Sequence, residues 1–314
     1  MPRLSLLLPA RARLAGVALP ADLARVLGRA DRTTQHPGNE AQLARHFRLL
    51  PDRWSPAALT RVTDASEADT RRHAWLRADP AYIRPDLNGA RLLGIGDMLG
   101  LNTNDAEALL PALRPLFGDA GFILDAPHPA RWYLRLPREA KLPAFTSPDL
   151  ALGDDVFEHT PDAPEARRWR ALLSEAQVVL HNHPHNAARL AAGRPPVNSL
   201  WFWGGGELPD HVTATHPTIV SDDPLLHGLA RVGKLQAMPL GDCADITADI
   251  ADDALVDLRA LRDLRALLEH WLLPACARAA KHGVVLDFAD GNVFTLTPRQ
   301  RWRVWRRPLA ALDA

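Results

Sequence analysis

The stretch spanning residues 181–206, HNHPHNAARLAAGRPPVNSLWFWGGG, limits the possible folds more than any other part of the chain. An Ala/Arg-rich helix stops at Gly193, and two prolines that cannot continue a helix follow it. An apolar, Trp-rich run of strand character then ends on three glycines. Helix, extended entry, buried strand and tight turn in that order belong to an α/β chain, and such a strand end is where α/β folds hold ligands.

The flanking sequence supports the same class. Residues 4–8 read as a buried strand, and 21–29 as a helix with Leu23, Val26 and Leu27 on one face. Residues 31–40 read as loop and 41–50 as helical, while 54–85 read as helix and loop with Asp79-Pro80 marking a turn. A strand at 91–96 precedes a helix capped by Asn102 or Asn104, whose stripe is Ala108, Leu109, Ala112, Leu113 and Leu116. Strands at 122–124 and 132–136 follow, then a Pro/Asp/Ser-rich loop over 137–164 and a helix over 163–180 that delivers the histidines. Beyond the glycines come strands at 217–220 and 235–240 with a helix over 222–232 between them. A long helix over 252–281 carries Leu255, Leu258, Leu261 and Leu264, with Pro274 kinking it, and a β-meander is expected at 284–288, 292–296 and 301–305. The predicted fold is a mixed, mainly parallel α/β sheet core formed by 1–74 and 197–314, with an inserted α+β lobe at 75–196.

Charge narrows the function. Thirty-seven basic and thirty-seven acidic residues cancel, so no global field draws in nucleic acid or an anionic membrane. No apolar stretch approaches the roughly 20 residues of a membrane span. Arg11 and Arg13 interrupt the N-terminal apolar run before a signal-peptide core, and Cys243 and Cys276 are too few for a disulfide framework, so a reducing cytoplasm is expected.

Candidate chemistry is sparse. His181, His183 and His185 alternate, but Pro184 and the helical flanks favour helix-terminal histidines over a metal site. Gly204-Gly205-Gly206 lacks the Lys-Ser/Thr of a nucleotide loop and reads as a tight turn. In the tail RQRWRVWRR a strand would turn Trp302 and Val304 inward and Arg301 and Arg303 outward; the competing role is a single-stranded nucleic-acid contact. Asp242, Asp245, Asp249, Asp252 and Asp253 suit a helix N-terminus. No G-x-S-x-G or H-E-x-x-H motif nominates a nucleophile or a zinc site.

His183-Pro184, Asn186, Arg189, Gly193, Pro195-Pro196, Asn198 and the run from Leu200 to Gly206 resemble the signature of archaeal-type cofactor-independent phosphoglycerate mutases. The wider order of landmarks resembles a mutase-like branch that includes RpfE-type regulatory proteins of plant-pathogenic bacteria: Trp-Leu-Arg-Ala-Asp-Pro, Pro-x-Arg-Trp-Tyr, Asp-Asp-Pro-Leu-Leu and a Trp-Arg-Arg tail. The resemblance implies an alkaline-phosphatase-like core that, in active members, uses two divalent metals and a Ser nucleophile to carry a phosphoryl group. Active members place an Asp-Gly metal motif after the first strand, whereas here Leu8 is followed by Pro9-Ala10-Arg11-Ala12-Arg13. Residues 284–305 offer only Asp287, Asp290 and Asn292 toward the late ligand motifs. The resulting expectation is a catalytically degenerate, regulatory or ligand-binding member with no resident metal. Its site would comprise His181, His183, Asn186, Arg189, Asn198, Gly204, Gly205 and Gly206, holding a small polar or phosphorylated ligand. A protein partner also fits this reading, and nucleic acid and membrane do not. The alternative is a mutase or phosphatase dependent on manganese or another divalent metal.

Overall fold

The computed structural model describes residues 3–86, 89–242, 250 and 253–312. It divides into two compact units, Met1–Asp52 with Asp210–Ala314, and Arg53–Pro209. The strand Ser199–Gly206 falls inside the second unit, whereas the expected lobe ended at residue 196.

In the first unit a seven-stranded sheet runs in the order Gln236–Met238, Thr218–Val220, Ala254–Asp257, Arg3–Leu8, Gly283–Phe288, Asn292–Leu296, Asp31–Thr34. The first five strands are mutually parallel, and the last two extend the sheet antiparallel, so this is a mixed α/β fold with a mainly parallel sheet. Central strands buried on both faces read as continuous apolar runs, as Leu6-Leu7-Leu8 does. The edge strand Asp31–Thr34, read as loop from its polar sequence, is exposed along its length. Helix Ala21–Arg29 seats Leu23 and Leu27 on Leu4, Leu6, Val256, Leu286 and Phe288. A separate ladder pairs Phe47–Leu50 with His211–Ala214, so the helical reading of 41–50 holds only to Ala44.

Two expectations fail here for identifiable reasons. The 252–281 helix is instead the strand Ala254–Asp257 followed by helical turns from Leu264 to Arg278, including a wide π segment over Leu267–Leu272 ahead of Pro274. Leu255 and Leu258 match helical spacing, but residues 254–256 are wholly buried, and a short apolar run carries no periodicity that separates strand from buried helix. The third meander strand is a 3₁₀ turn, Pro298–Trp302, started by a Thr297/Gln300 capping box. Trp302 and Val304 therefore do not face inward; they are 67% and 73% exposed, while Arg303 pairs with Asp31.

The second unit is built on one 13-residue strand, Ala74–Asp86. Its first half is flanked by Arg131–Leu136 and Ser199–Gly206, and its second half pairs with Gly89–Ile95. Ile123–His128 completes the sheet as an edge. Asp79-Pro80 is therefore no turn: Pro80 lies opposite Leu200 in mid-strand. Helices Thr103–Asp119 and Ala166–His181 cover one face, packing Leu109, Leu113, Phe117 and Trp169 on Leu76, Trp132, Leu134 and Phe202. Because strand side chains alternate, Arg131, Tyr133 and Arg135 point to the opposite face, where helix Pro56–Asp64 lies. The three glycines form the end of a strand, and Gly204 alone among them keeps the φ near +60° expected of a turn. Their smallness admits close neighbours: a Cβ on Gly205 would stand 2.3 Å from Leu142 Cδ1, and one on Gly204 2.9 Å from Pro56 Cβ.

Candidate functional site

Ligands of open α/β sheets bind beyond the carboxyl ends of the parallel strands, and the first unit gathers charge there. Asp257 ends its strand, and Ser221 and Asp223 follow the neighbouring one. Both oxygens of Asp257 are engaged: Oδ1 accepts from Arg259 Nε at 2.8 Å, and Oδ2 from Arg259 Nη2 at 2.9 Å and Ser221 Oγ at 3.1 Å. The same Nη2 donates to Asp223 Oδ2 at 3.0 Å, so one guanidinium bridges two carboxylates. Burial works against that charge, but the bonds to Asp257 and Asp223 outweigh it and hold the Arg259 pKa above its ordinary value. Beyond the next strands, Arg11 Nε meets Asp290 Oδ2 at 2.8 Å, and Asp287 is clasped by Arg45 Nε at 2.9 Å and His46 Nε2 at 2.8 Å.

A divalent metal needs several carboxylate, imidazole or thiolate donors free to converge. Each of these Asp residues already faces an arginine, and no group of three or more His, Cys, Asp or Glu suited to a metal occurs among the described residues. The donor set among the described residues does not fit a two-metal centre. Asp253 is paired with His216 rather than capping a helix, while Cys243, Asp245, Asp249 and Asp252 lie outside the described residues, as does the side chain of Asp242.

A Ser–His–Asp relay, invisible to motif reading because its members are far apart in sequence, occurs in the same unit. His216 Nε2 lies 2.9 Å from Ser5 Oγ and Nδ1 lies 2.6 Å from Asp253 Oδ1. Ser5 is 1% exposed in the central strand, so substrate has no path to its Oγ in this conformation. Burial holds the His216 pKa below its usual value.

In the second unit the 181–206 residues are knit into the fold. His181 ends its helix and is exposed. His183 caps the next helix, Pro184–Ala191, accepting at Nδ1 from the His185 amide, and burial lowers its pKa. Buried Asn186 donates to the carbonyls of Leu180 and Val197, each at 2.7 Å, and accepts from the Val197 amide at 2.9 Å. Arg189, 1% exposed, donates to the carbonyls of Pro195 and Leu99 and pairs with Asp105 at 2.9 Å. Asn198 copies a strand residue, bonding both backbone groups of Ile83. Gly204, Gly205 and Gly206 lie against Pro56, Leu142 and Ser55.

A second network lies beneath helix Pro56–Asp64. Arg77 bonds Asp79 Oδ1 at 2.8 Å and Thr60 Oγ1 at 3.0 Å, and Trp203 Nε1 donates to Asp79 Oδ2 at 2.7 Å. Burial raises the Asp79 pKa despite Arg77. Arg131 forks onto Asp64, which also accepts from the Tyr133 hydroxyl. Arg77 and Asp79 inside the apolar WLRADPAYI were the one sequence signal of this network.

These groups set the pH response. In Asp64, Asp105, Asp287 and Asp290, burial would raise the pKa, but hydrogen bonds and ion pairs outweigh it and pull each below its ordinary 3.8. Their stabilisation is complete above the unfolded value and is lost as pH falls through the lower folded values. His128 and His216 are depressed from 6.5 by burial, so the unfolded chain takes up their protons first and stability also falls as pH drops below 6.5. Urea midpoints are expected to be level above this, to decline modestly down to pH 4 and to fall steeply below it. Asp79, whose raised pKa makes the folded chain take up a proton first, acts in the opposite sense, so the decline above pH 4 is the balance of the two, and a rise in the midpoint over that range would mean that Asp79 outweighs the histidines.

No family model matches the chain. Parts of it are similar to curated mutases. A probable 2,3-bisphosphoglycerate-independent phosphoglycerate mutase of Geobacter sulfurreducens is 42% identical over 57 residues, 18% of this chain and 14% of that protein. The enzyme of Methanosarcina barkeri is 34% identical over 64 residues, 20% of this chain and 16% of its own length. The matched stretch thus spans less than a fifth of either relative. Among solved structures, a cofactor-independent phosphoglycerate mutase from Thermoplasma acidophilum aligns over 95% of this chain and 90% of its own at 17% identity and a TM-score of 0.40. The PH0037 protein of Pyrococcus horikoshii aligns over 94% and 87% at 13% identity and a TM-score of 0.47. The chain is phosphoglycerate-mutase-like in sequence over the stretches it shares with these relatives. No helix among the described residues is long and apolar enough to cross a membrane.

Proposed function

We propose that the chain is a catalytically degenerate relative of the cofactor-independent phosphoglycerate mutases, acting as a regulatory or ligand-binding protein. The observation that carries this reading is Arg259, whose guanidinium bridges Asp223 and Asp257 at the carboxyl edge of the parallel sheet. Two-metal phosphoryl transfer depends on cations that stabilise attacking and leaving oxygens together. A fixed side-chain cation that already has both carboxylates as partners offers no open position for either oxygen. Arg11 on Asp290 and Arg45 on Asp287 repeat the arrangement on the strands alongside.

In this reading the 181–206 segment is a frame. The polar atoms of Asn186, Arg189 and Asn198 are directed to backbone and to Asp105, and recognition falls to side chains elsewhere. The test is to give purified protein 3-phosphoglycerate with manganese or cobalt, with and without chelator, alongside elemental analysis. The expected result is no turnover and no stoichiometric metal. Chelator-sensitive turnover would establish the metal-dependent mutase instead.

A further inference from the structure

A cleft of about 380 Å³ opens in the second unit beside the edge strand Ile123–His128, and its lining is rich in cations: Arg61, Arg114 and Arg135, with Asp69, Asp125 and Trp75. Arg114 projects from helix Thr103–Asp119, Arg135 from strand Arg131–Leu136 and Arg61 from helix Pro56–Asp64, so three separate elements place guanidinium groups on one concavity. Asp69 and Asp125 offset Arg61, which leaves Arg114 and Arg135 as the cations of the cleft without a counter-charge among the described residues.

The three arginines differ in how far they are already satisfied. Arg61 is 5% exposed, pairs through Nη2 with Asp69 at 3.0 Å and Asp125 at 2.8 Å, and stacks 3.7 Å from the Trp75 ring centroid. Its Nε and Nη1 have no hydrogen-bond partner among the described residues. Stacking on an aromatic face accounts for part of that deficit. Arg114 and Arg135 have neither an ion pair nor a side-chain hydrogen bond among the described residues, whereas Arg61, Arg77 and Arg131, on the face of the sheet that Arg135 shares, each have a carboxylate partner. Two unpaired guanidinium groups thus line the same cleft as a third that is anchored and buried, and arginine donors on one concavity suit a phosphate or carboxylate.

We propose that this cleft is a binding site for a compact phosphate-type anion, a phosphomonoester being the class that fits. Arg114 and Arg135 donate to the anion, while Arg61, already paired with Asp69 and Asp125, holds those two carboxylates at the edge of the cleft. Asp69 and Asp125, about 40% exposed on the rim, accept from hydroxyl groups on the remainder of the ligand and disfavour an anion without them. The site is independent of the carboxyl edge of the parallel sheet, so it stands whether or not the chain retains mutase activity.

The probe is inorganic phosphate, followed by calorimetric titration of the full chain at constant ionic strength with chloride as the control anion. Saturable phosphate binding is expected, weakened at least tenfold in the Arg114→Gln/Arg135→Gln double variant. Neither side chain has a partner to lose, so the melting temperature of the double variant without phosphate should match the parent and separate lost binding from lost folding. Asp125→Asn removes a rim charge and should tighten phosphate several-fold, an effect opposite in sign to that of the arginine changes. Absence of phosphate binding by the parent chain, or binding equal in parent and double variant, overturns the proposal.

Discussion

Arg259→Ala is expected to destabilise the first unit by about 3–5 kcal/mol and to make its stability respond to manganese. The magnitude follows from removing one partner of a buried ion pair, which leaves the other charge uncompensated. Here two charges are left. Asp257, 7% exposed, retains only Ser221 and the Arg259 backbone amide, and Asp223 faces it without the guanidinium between them. Two carboxylates in one vacated space are a better divalent-cation site than anything the described residues of the parent chain contain. A cation that binds only the folded variant adds stability by mass action, about 2.7 kcal/mol at a hundredfold excess over its dissociation constant. Urea unfolding with manganese and with chelator measures both effects, and the parent chain should be indifferent to the change. Manganese stabilising the parent as strongly as the variant would mean that Arg259 does not stand where a cation would.

Asp105→Ala should be comparably damaging to the second unit, about 3–5 kcal/mol, with roughly 1 kcal/mol more from the lost helix cap. Asp105 completes the capping box of helix Thr103–Asp119 by accepting from the Asn102 amide at 3.0 Å. It is also the counter-charge of Arg189, which is 1% exposed and has no route to water. Its bond to His185, 26% exposed, matters less, and His185→Ala should cost no more than about 1 kcal/mol. Asp105→Asn preserves shape and one acceptor but still strands the guanidinium, so it should fall between the two. If Asp105→Ala and His185→Ala prove equal, Arg189 is not held by charge.

Much of the architecture was legible from periodicity. The run Trp169, Leu172, Ala176, Leu180 obeys helical spacing because it packs one face on a sheet, and in helix Thr103–Asp119 Leu109 and Leu113 of the expected stripe do the same, whereas Ala112 is exposed and Leu110 and Phe117 complete the buried face. The strand Ala74–Asp86 was not legible, because Arg77 and Asp79 bring charge into the run and Pro80 interrupts it. Only the fold reveals that Asp79 compensates Arg77 and that Pro80 is tolerated opposite Leu200. The same limit hid the charged sites. Arg259 and Asp223, or Ser5, His216 and Asp253, are joined by strand order and not by spacing, so no local pattern could pair them. The family-like segment was legible as a marker, but the partners of its Asn and Arg residues were not, because hydrogen-bonding capacity in sequence does not say whether a backbone carbonyl is waiting for it.

The close approach of Gly204 to Pro56 and of Gly206 to Ser55 has a topological meaning. It brings the entry and exit of the second unit side by side. In the first unit, the residues just outside that insertion are also neighbours: Leu50 pairs with His211, and the Asp210 amide donates to the Leu50 carbonyl at 2.8 Å. Strands Phe47–Leu50 and His211–Ala214 are thus the two arms of a β-hairpin, and the whole second unit occupies the place of its turn. A module whose ends meet can be accepted at such a point without parting the arms of its host.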